Sequence, residues 1–458
     1  MTQAPPFYVV TLTHPDWADA RAYARRLPPE AMPELRLDLF PDLDPETLVH
    51  DLGRRCLVTC RRASEGGAWT GPEAARLERL ILGAQSRPAW VDLEWELAVP
   101  EALAACLAHV RLLRSVHVPP GVFDLEARLA QLPQGDAFKW VGHADRLPDN
   151  ARLRGPLAWA RDHKVALSAF LMGPKGLASR CLQAVWGGAF TYACPDDAGA
   201  AAPGQLTLGR MLAWRCHRLH ADYGLCGVLG EPVLHSLGPG YHNPRFQQAF
   251  KDLLYLPLAC GDPAEAEAAL EALELLGASL TAPLKESLPA RLGLPGPLNT
   301  LWRRRPGRPW QGANTDFLAL DAALEALAPR SAQLPVLVLG DGGVAETTRR
   351  VLEARGWPCL RVSRRAPAAA GQVRAFGPVG VIQATRLGMD PGDPLPFPAA
   401  LAEAEPSARW AVEWIYKEDT AFAGWARDQG LDLVAGASLF QGQAALQSET
   451  FVRECGGE

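Results

Sequence analysis

Lysine is almost missing from this chain: only six of its 458 residues are lysines, at positions 139, 164, 175, 251, 285 and 417, although lysine and arginine together number 46. Where lysine is avoided this strongly, one in an apolar setting needs a reason, and Lys139 and Lys285 both stand in such a setting. Positive charge is not in excess either. Fifty-one acidic residues give a net charge of −5, which leaves no general footprint for nucleic acid. Small anions must then be met by local arginines. No signal-peptide pattern opens the sequence, and no apolar run approaches the roughly 20 residues that span a bilayer. The ten cysteines include no C-x-x-C pair and no metal-finger spacing. Cys56 and Cys60 straddle one apolar run and are expected as buried free thiols. Cys216, His217 and His220 lie in an arginine-rich segment without further ligands, so no metal site is expected. These absences predict a cytoplasmic protein with reduced thiols and neither nucleic-acid nor membrane partners.

What is present is ordinary for a soluble globular chain, 48% apolar and 21% charged, with length for about two to four domains. Residues 1 to about 215 repeat a beat of apolar run and helix-like segment. The runs are FYVVTLT (7–13), LRLDLF (35–40), CLVTCR (56–61), WVDLEW (90–95), VRLLRSVH (110–117), FKWVGHA (138–144), KVALSAFLM (164–172) and FTYAC (190–194). Helical stretches such as 17–26 and 72–82 lie between most of them. Eight strands alternating with helices predict a parallel (β/α)8 barrel with lean loops.

In such a barrel the chemistry gathers at the C-terminal strand ends. Those ends carry Glu34, Arg36 and Asp38, then Arg61 and Glu65, Asp92 and Glu94, His117, Lys139 and His143. Arginines there suit a carboxylate-bearing substrate. An inward, desolvated lysine near arginines has its pKa pushed below the usual value of about 10.4. Its neutral amine can then attack a ketone to form a Schiff base, while a histidine on the neighbouring strand takes a proton from the adjacent carbon.

At these residues the likeness becomes specific. Residues 34–38 (ELRLD), 61–67 (RRASEGG), 115–117 (SVH), Lys139, 168–180 (SAFLMGPKGLASR) and 203–205 (PGQ) resemble type I 3-dehydroquinate dehydratase. The resemblance implies Lys139 as the Schiff-base lysine, His117 as the proton-transfer residue and Glu65 as its helper. It implies Arg36, Arg61, Arg180 and Gln205 as substrate-binding residues, with Glu34 behind them. Two positions depart from the family: Val118-Pro119 follow His117 in place of Asp-Phe, and Ala201 replaces a substrate-contacting serine.

The segment 211–224 is expected as a helix running into a connector, with a boundary near 220 and no low-complexity linker. Beyond it, short strands (LCGVLG, LYLPLAC, ASLTA) alternate with helices predicted over 244–253 and 263–276. Then 335–365 sets out a buried strand (336–339), the turn Gly340-Asp341-Gly342-Gly343, an amphipathic helix over 345–355 and a second strand, CLRVS. Glycines at such a turn let backbone N–H groups approach a pyrophosphate at the positive end of a helix. The second strand ends in Ser363-Arg364-Arg365, where an NAD site usually carries an acid. Guanidinium forks suit a 2′-phosphate, so an NADP site is expected. A final helix is predicted over 437–452.

HSLGPGYHN (235–243), SLTAPLK (279–285), PLNT (297–300), GANTDF (312–317), GDGG (340–343), SRR (363–365), QATRLGM (383–389) and the Gln443 segment are similar, in order, to shikimate dehydrogenase. The resemblance implies Lys285 and Asp316 as the catalytic pair. It implies substrate contacts from Ser236, Thr281, Asn299, Thr315, Tyr416 and Gln443. It places the cofactor on Gly340, Gly342 and Gly343, with Ser363, Arg364 and Arg365 at the 2′-phosphate, and Thr385 and Met389 near the nicotinamide. Gly238, Ser279 and Gln383 depart from the family pattern, which admits quinate as a competing substrate. Together the two likenesses imply a fused arrangement. A barrel (1–220) would convert 3-dehydroquinate to 3-dehydroshikimate, and a two-lobed α/β dehydrogenase would reduce this to shikimate. Its substrate lobe is expected over 221–320, completed by 430–458, and its Rossmann-like NADP lobe over 321–429. The rival expectations are a quinate or shikimate oxidoreductase whose barrel is only a scaffold, and a non-catalytic metabolite sensor that kept both folds.

Overall fold

The computed structural model describes residues 5–202, 204–390, 392–417 and 419–455. Eight parallel strands open the chain: β1 (Tyr8–Thr11), β2 (Ala31–Arg36), β3 (Leu57–Thr59), β4 (Trp90–Glu94), β5 (Arg111–His117), β6 (Ala137–His143), β7 (Leu167–Met172) and β8 (Thr191–Ala193). Each overlaps one of the eight apolar runs, although β2 shares only Leu35 and Arg36 with the run at 35–40. Their ladder is continuous from β7 through β6 to β1 and on to β8. At the remaining seam Ala189 N–H donates to Leu167 O at 2.8 Å. The Gln183 amide donates to Ala169 O at 2.6 Å, so a side chain satisfies backbone that a ladder would otherwise pair. Every β1 and β2 residue is buried, as expected for parallel strands covered on both faces. Val9, Met32, Leu57, Trp90, Leu113, Val141 and Phe170 belong to one buried core.

Strand ends differ from expectation where backbone conformation intervenes. The run at 35–40 leaves the sheet at Arg36 and continues as a 3₁₀ turn, Leu37–Leu39. The helix expected over 211–224 is shorter, Leu208–Ala213, because Arg215 adopts a left-handed conformation (φ 55°) and redirects the chain.

By internal contacts the chain forms two units. The first contains the barrel, the following residues to Leu294, Arg303–Pro309 and the segment from Glu454; the second contains Pro295–Trp302 and Trp310–Arg453. In the first unit, β9 (Gly224–Gly230) lies between β10 (Leu253–Ala259) and β11 (Leu275–Leu280), all parallel. The helix expected from residue 244 runs instead over Gly238–Gln248, since Pro239, not Pro244, occupies its first turn. Leu253 then belongs to β10, and the next helix stops at Ala272, before Leu275 and Leu276 enter β11.

In the second unit β12 (Thr300–Trp302) and β13 (Gln311–Ala313) pair antiparallel. The strands β14 (Val336–Leu339), β15 (Cys359–Val362), β16 (Gly380–Gln383), β17 (Trp410–Glu413) and β18 (Asp432–Val434) form a parallel sheet in the order β15-β14-β16-β17-β18. That is a doubly wound order whose direction reverses between β14 and β16, and such sheets bind ligands outside the strand ends at that reversal. The last helix spans Gly436–Glu454. No helix among the described residues is long and apolar enough to cross a membrane, and all ten cysteines are free.

Candidate active site

The barrel places Lys139 at mid-strand on β6, in register with Ser115 on β5 and Ser168 on β7. Parallel register puts the three side chains on one face, and two small neighbours leave room for a long one. Lys139 is 2% exposed. Its Nζ lies 3.8 Å from Glu34 Oε1 and 3.9 Å from the centre of the Tyr192 ring. Burial, then the Arg61 charge, push its pKa down to about 7 against the pull of Glu34 and Asp92. Roughly half of such an amine is neutral at pH 7, against well under one per cent of an ordinary lysine. Burial alone would raise the Glu34 carboxyl, but Lys139, Arg61, Arg36 and a 2.6 Å hydrogen bond from Thr11 together hold it below the usual range.

A cavity of about 510 Å³ opens above this lysine, and Arg61, Glu65, His117, His143, Arg180 and Gln205 stand in its wall. His117 Nδ1 lies 3.2 Å from Glu65 Oε2. Burial, then Arg61 and Lys139, lower the histidine pKa well below its usual value, which leaves a neutral ring able to accept a proton. Burial, with the charges of Glu94 and Asp92, raises Glu65 to about 7. Arg61 Nη2 lies 3.6 Å from Glu34 Oε1, an ion pair longer than a hydrogen bond, and Arg180 Nε is buried with no hydrogen-bond partner in the protein. Arg180 lies over the Phe170 ring at 4.3 Å. Two guanidiniums in the wall of one cavity form a seat for an anionic, oxygen-rich ligand.

Other predicted residues are placed differently. Arg36 does not line the cavity; its guanidinium is held by Asp38, Nε to Oδ1 at 2.8 Å. Asp38 also accepts from the Arg61 and Ala68 N–H groups, so this pair fixes the loop that carries Arg61. Glu94 is taken up by Arg76 at 2.8 Å. Asp92 is buried, and that burial raises its pKa against the pull of Lys139 and Arg61. Gln205 Oε1 accepts from Ala201 N–H at 2.9 Å, so the residue at the departed serine position contributes its backbone. A Cβ at the neighbouring Gly204 (φ 77°) would lie 2.4 Å from Gly173 O, a closeness only glycine permits. Pro203, also part of the PGQ motif, lies outside the described residues.

Farther along the first unit, Ser236 Oγ accepts from Gly238 N–H at 3.1 Å beside the start of helix Gly238–Gln248. Thr281 follows β11, its N–H on Leu229 O at 2.9 Å. Lys285 occupies the first turn of helix Leu284–Arg291 and is half-buried.

In the second unit Asn299, Thr315 and Gln443 come together. Asn299 Oδ1 accepts from Thr315 N–H at 2.7 Å and from Thr300 Oγ1 at 3.0 Å, and Thr315 Oγ1 reaches Gln443 Oε1 at 3.4 Å. Thr315 opens helix Thr315–Leu327, capped by Asn314, with Asp316 in its first turn. Tyr416 is exposed, its ring 6.1 Å from that of Phe440.

Gly340 follows β14 with φ 124°, and a Cβ there would lie 2.8 Å from Ala384 O. Beside Gly342 and Gly343, which open helix Gly343–Ala354, a Cβ would meet nothing within 4 Å. This cradle, at the reversal of strand order, fits a pyrophosphate. Ser363 Oγ accepts from the Arg365 and Ala366 N–H groups, forming the turn from which Arg364 and Arg365 extend, both exposed. Gln383 binds Thr385 N–H and Leu387 O at 2.8 Å each, and the Thr385 hydroxyl accepts from Leu387 N–H. Met389 lies in the same loop, its carbonyl held by the Lys417 ammonium.

The family model for type I 3-dehydroquinase matches residues 8–214. A 3-dehydroquinate dehydratase from Dehalococcoides mccartyi is 34% identical over 185 residues, 39% of this chain and 82% of that protein. The chain belongs to the type I 3-dehydroquinase family. Beyond the dehydroquinase segment, likeness continues to a bifunctional 3-dehydroquinate dehydratase/shikimate dehydrogenase, chloroplastic, from Arabidopsis thaliana. It is 26% identical over 378 residues, 75% of this chain, and the match spans 62% of the plant protein's length. Among solved structures, the dehydroquinate dehydratase and shikimate dehydrogenase from S. pombe aligns over 99% of this chain and 96% of that one. Its identity is 19% and its TM-score 0.41.

Two neutral residues of the dehydroquinase barrel escape a reading based on charge. Thr11 on β1 orients Glu34, and Tyr192 on β8 offers its ring face to Lys139. Alternation along their strands is the only signal for them, because inward residues of adjacent strands meet at the barrel axis.

Proposed function

We propose that the chain catalyses two successive reactions, dehydration of 3-dehydroquinate in the barrel and NADPH-dependent reduction of 3-dehydroshikimate in the second half. The observation that carries the reading is the buried Lys139 amine with its pKa near 7, walled by Glu34 and Tyr192 under a cavity that holds His117 and two arginines.

The neutral Lys139 amine adds to the substrate ketone and water leaves, giving an imine. His117 removes a proton from the carbon next to the imine, a step the imine favours as an electron sink. The hydroxyl one carbon further departs as water, taking the proton His117 had accepted. Hydrolysis of the conjugated imine releases 3-dehydroshikimate and the amine, so the net loss is one water. Glu65 holds the His117 ring through Nδ1. Arg61, Arg180 and Gln205 bind the substrate's carboxylate and hydroxyls, and Arg36 and Glu34 orient Arg61 and Lys139.

For the second reaction, Gly340, Gly342 and Gly343 would hold the NADP pyrophosphate, Ser363, Arg364 and Arg365 would bind its 2′-phosphate, and Thr385 and Met389 would serve the nicotinamide end. The chemistry NADPH supplies when bound is a hydride for the carbonyl carbon. Lys285 and Asp316 are assigned to the proton taken up by the new hydroxyl. Ser236, Thr281, Asn299, Thr315, Tyr416 and Gln443 are assigned to binding the substrate. The three organic partners are thus 3-dehydroquinate, 3-dehydroshikimate and shikimate, and the ten free thiols support a cytoplasmic setting. The testing experiment is a coupled assay from 3-dehydroquinate and NADPH, repeated with Lys139→Ala and Lys285→Ala. Each variant is expected to stop the sequence at its own step. Wild-type flux through either variant overturns the assignment of that lysine.

A further inference from the structure

Residues outside the dehydroquinase segment reach into the framework of its cavity. Glu265 lies in the first turn of helix Pro263–Ala272, which follows β10, and is buried. One of its oxygens accepts from Leu147 N–H at 2.6 Å, and the other binds Lys175 Nζ at 2.8 Å. Leu147 opens the 3₁₀ segment after β6, and Lys175 sits in the turn after β7. One carboxylate therefore spans the two barrel loops that follow the strands bearing Lys139 and Phe170.

A fully buried amide continues the connection inward. Asn150 donates to Leu147 O at 2.8 Å and to Lys175 O at 2.7 Å, and its Oδ1 accepts from Ser179 N–H at 3.0 Å. The Ser179 hydroxyl accepts from Leu171 N–H on β7 at 2.9 Å and donates to Gly176 O at 2.7 Å. The next residue is Arg180, which lines the cavity and whose own carbonyl is held by Thr191 Oγ1 on β8. Every link from Glu265 to Arg180 is a hydrogen bond or a peptide bond. Asn150, Ser179 and Arg180 are all buried, so a small shift of either loop must be absorbed by repacking rather than by free rotation.

We infer that Glu265, supplied by the second half of the chain, is a positioning residue for the dehydratase site: by clamping the loops after β6 and β7 it sets the place of Arg180. The inference rests on the proposed dehydratase reaction, in which Arg180 binds the substrate's anionic end. A displaced guanidinium weakens ground state and transition state alike, so the effect falls on KM rather than kcat.

The test measures both reactions separately in the full-length protein. Glu265→Ala is expected to raise the dehydratase KM by about 5- to 50-fold with kcat little changed, the size of a charged contact moved by a fraction of an ångström. The dehydrogenase constants should stay at wild type. Glu265→Gln still accepts from Leu147 N–H and should recover part of the lost affinity. Lys175→Met removes only the ion pair and provides the decision if the alanine variant does not fold. An unchanged dehydratase KM in a folded variant, or an equal loss in both reactions, overturns the inference. Wild-type protein without dehydratase turnover would instead sink the reaction it rests on, and a turning-over wild type keeps the two failures apart.

Discussion

Two of the six lysines are assigned to catalysis, and their surroundings differ sharply. Lys139 is enclosed by one sheet, its amine altered by burial, two arginines and two carboxylates. Lys285 is half-buried on the first turn of a short helix, and the residues assigned with it fall in both units of the chain. The proposed nucleophile sits within a paired strand, as suits an amine that must lose its proton before substrate arrives. A proton-delivering group needs no such enclosure, because it acts through an oxygen that the substrate itself brings.

The largest expected effect separates the two sites. Lys139→Ala should lower dehydratase kcat by about a thousandfold or more, the range seen when a covalent nucleophile is removed, and leave reduction of 3-dehydroshikimate intact. Lys285→Ala should do the reverse, lowering dehydrogenase kcat by about 10²- to 10⁴-fold. Steady-state assays of each step check both, and crossed effects would break the comparison. Next comes cofactor choice. Replacing Arg364 and Arg365 by alanine should raise KM for NADPH by about 10- to 100-fold, from the loss of charge-assisted hydrogen bonds, with little change for NADH.

A smaller effect concerns pH. Because the Lys139 pKa is lowered and the neutral amine is the nucleophile, dehydratase kcat/KM should rise with pH through about 7, where an ordinary lysine would give a rise only near about 10.4. Glu65 loses its proton in the same range. Arg61 is one cause of the lowering, so Arg61→Leu should move the rise to higher pH in a pH–rate profile.

The smallest effect contrasts two carboxyls. Burial raises Glu413 on β17 to about 7 as well, yet it faces Thr420 at 2.5 Å rather than a histidine. Its folded form keeps a proton that the unfolded chain loses near pH 4.5, so stability falls as pH rises from there to about 7. Glu413→Gln should therefore raise Tm by a few degrees at pH 8 and hardly at all at pH 4, with neither activity altered. Glu65→Gln, by contrast, should reduce dehydratase turnover.

Most of the eight strands were legible because parallel strands buried on both faces leave unbroken apolar runs, as at β1 and β7; β2 was caught only by its last two residues, since Pro33 and Glu34 break its apolar pattern. That Lys139, His117 and Glu65 gather at one cavity was legible because a charge in or beside such a run costs desolvation and so singles out an unusual position. Backbone turns were not. Arg215 in the left-handed region ends a helix that its side chain would continue, and Pro239 displaced Pro244 as the first-turn proline. Thr11 and Tyr192 were hidden because they are neutral and act only through what the barrel closure brings opposite them. Glu265 looked like one acid among several on a helix; its partners are 90 and 118 residues away in sequence. Contacts of that separation exist only once the tertiary fold has formed.

The most direct measurement of the central claim is chemical trapping. The full-length protein is incubated with 3-dehydroquinate, reduced with borohydride and digested, and the modified peptide is located by mass spectrometry. One covalent adduct is expected, on Lys139, and none in Lys139→Ala. An adduct on another lysine, or dehydration that proceeds with no trappable imine, would contradict that claim.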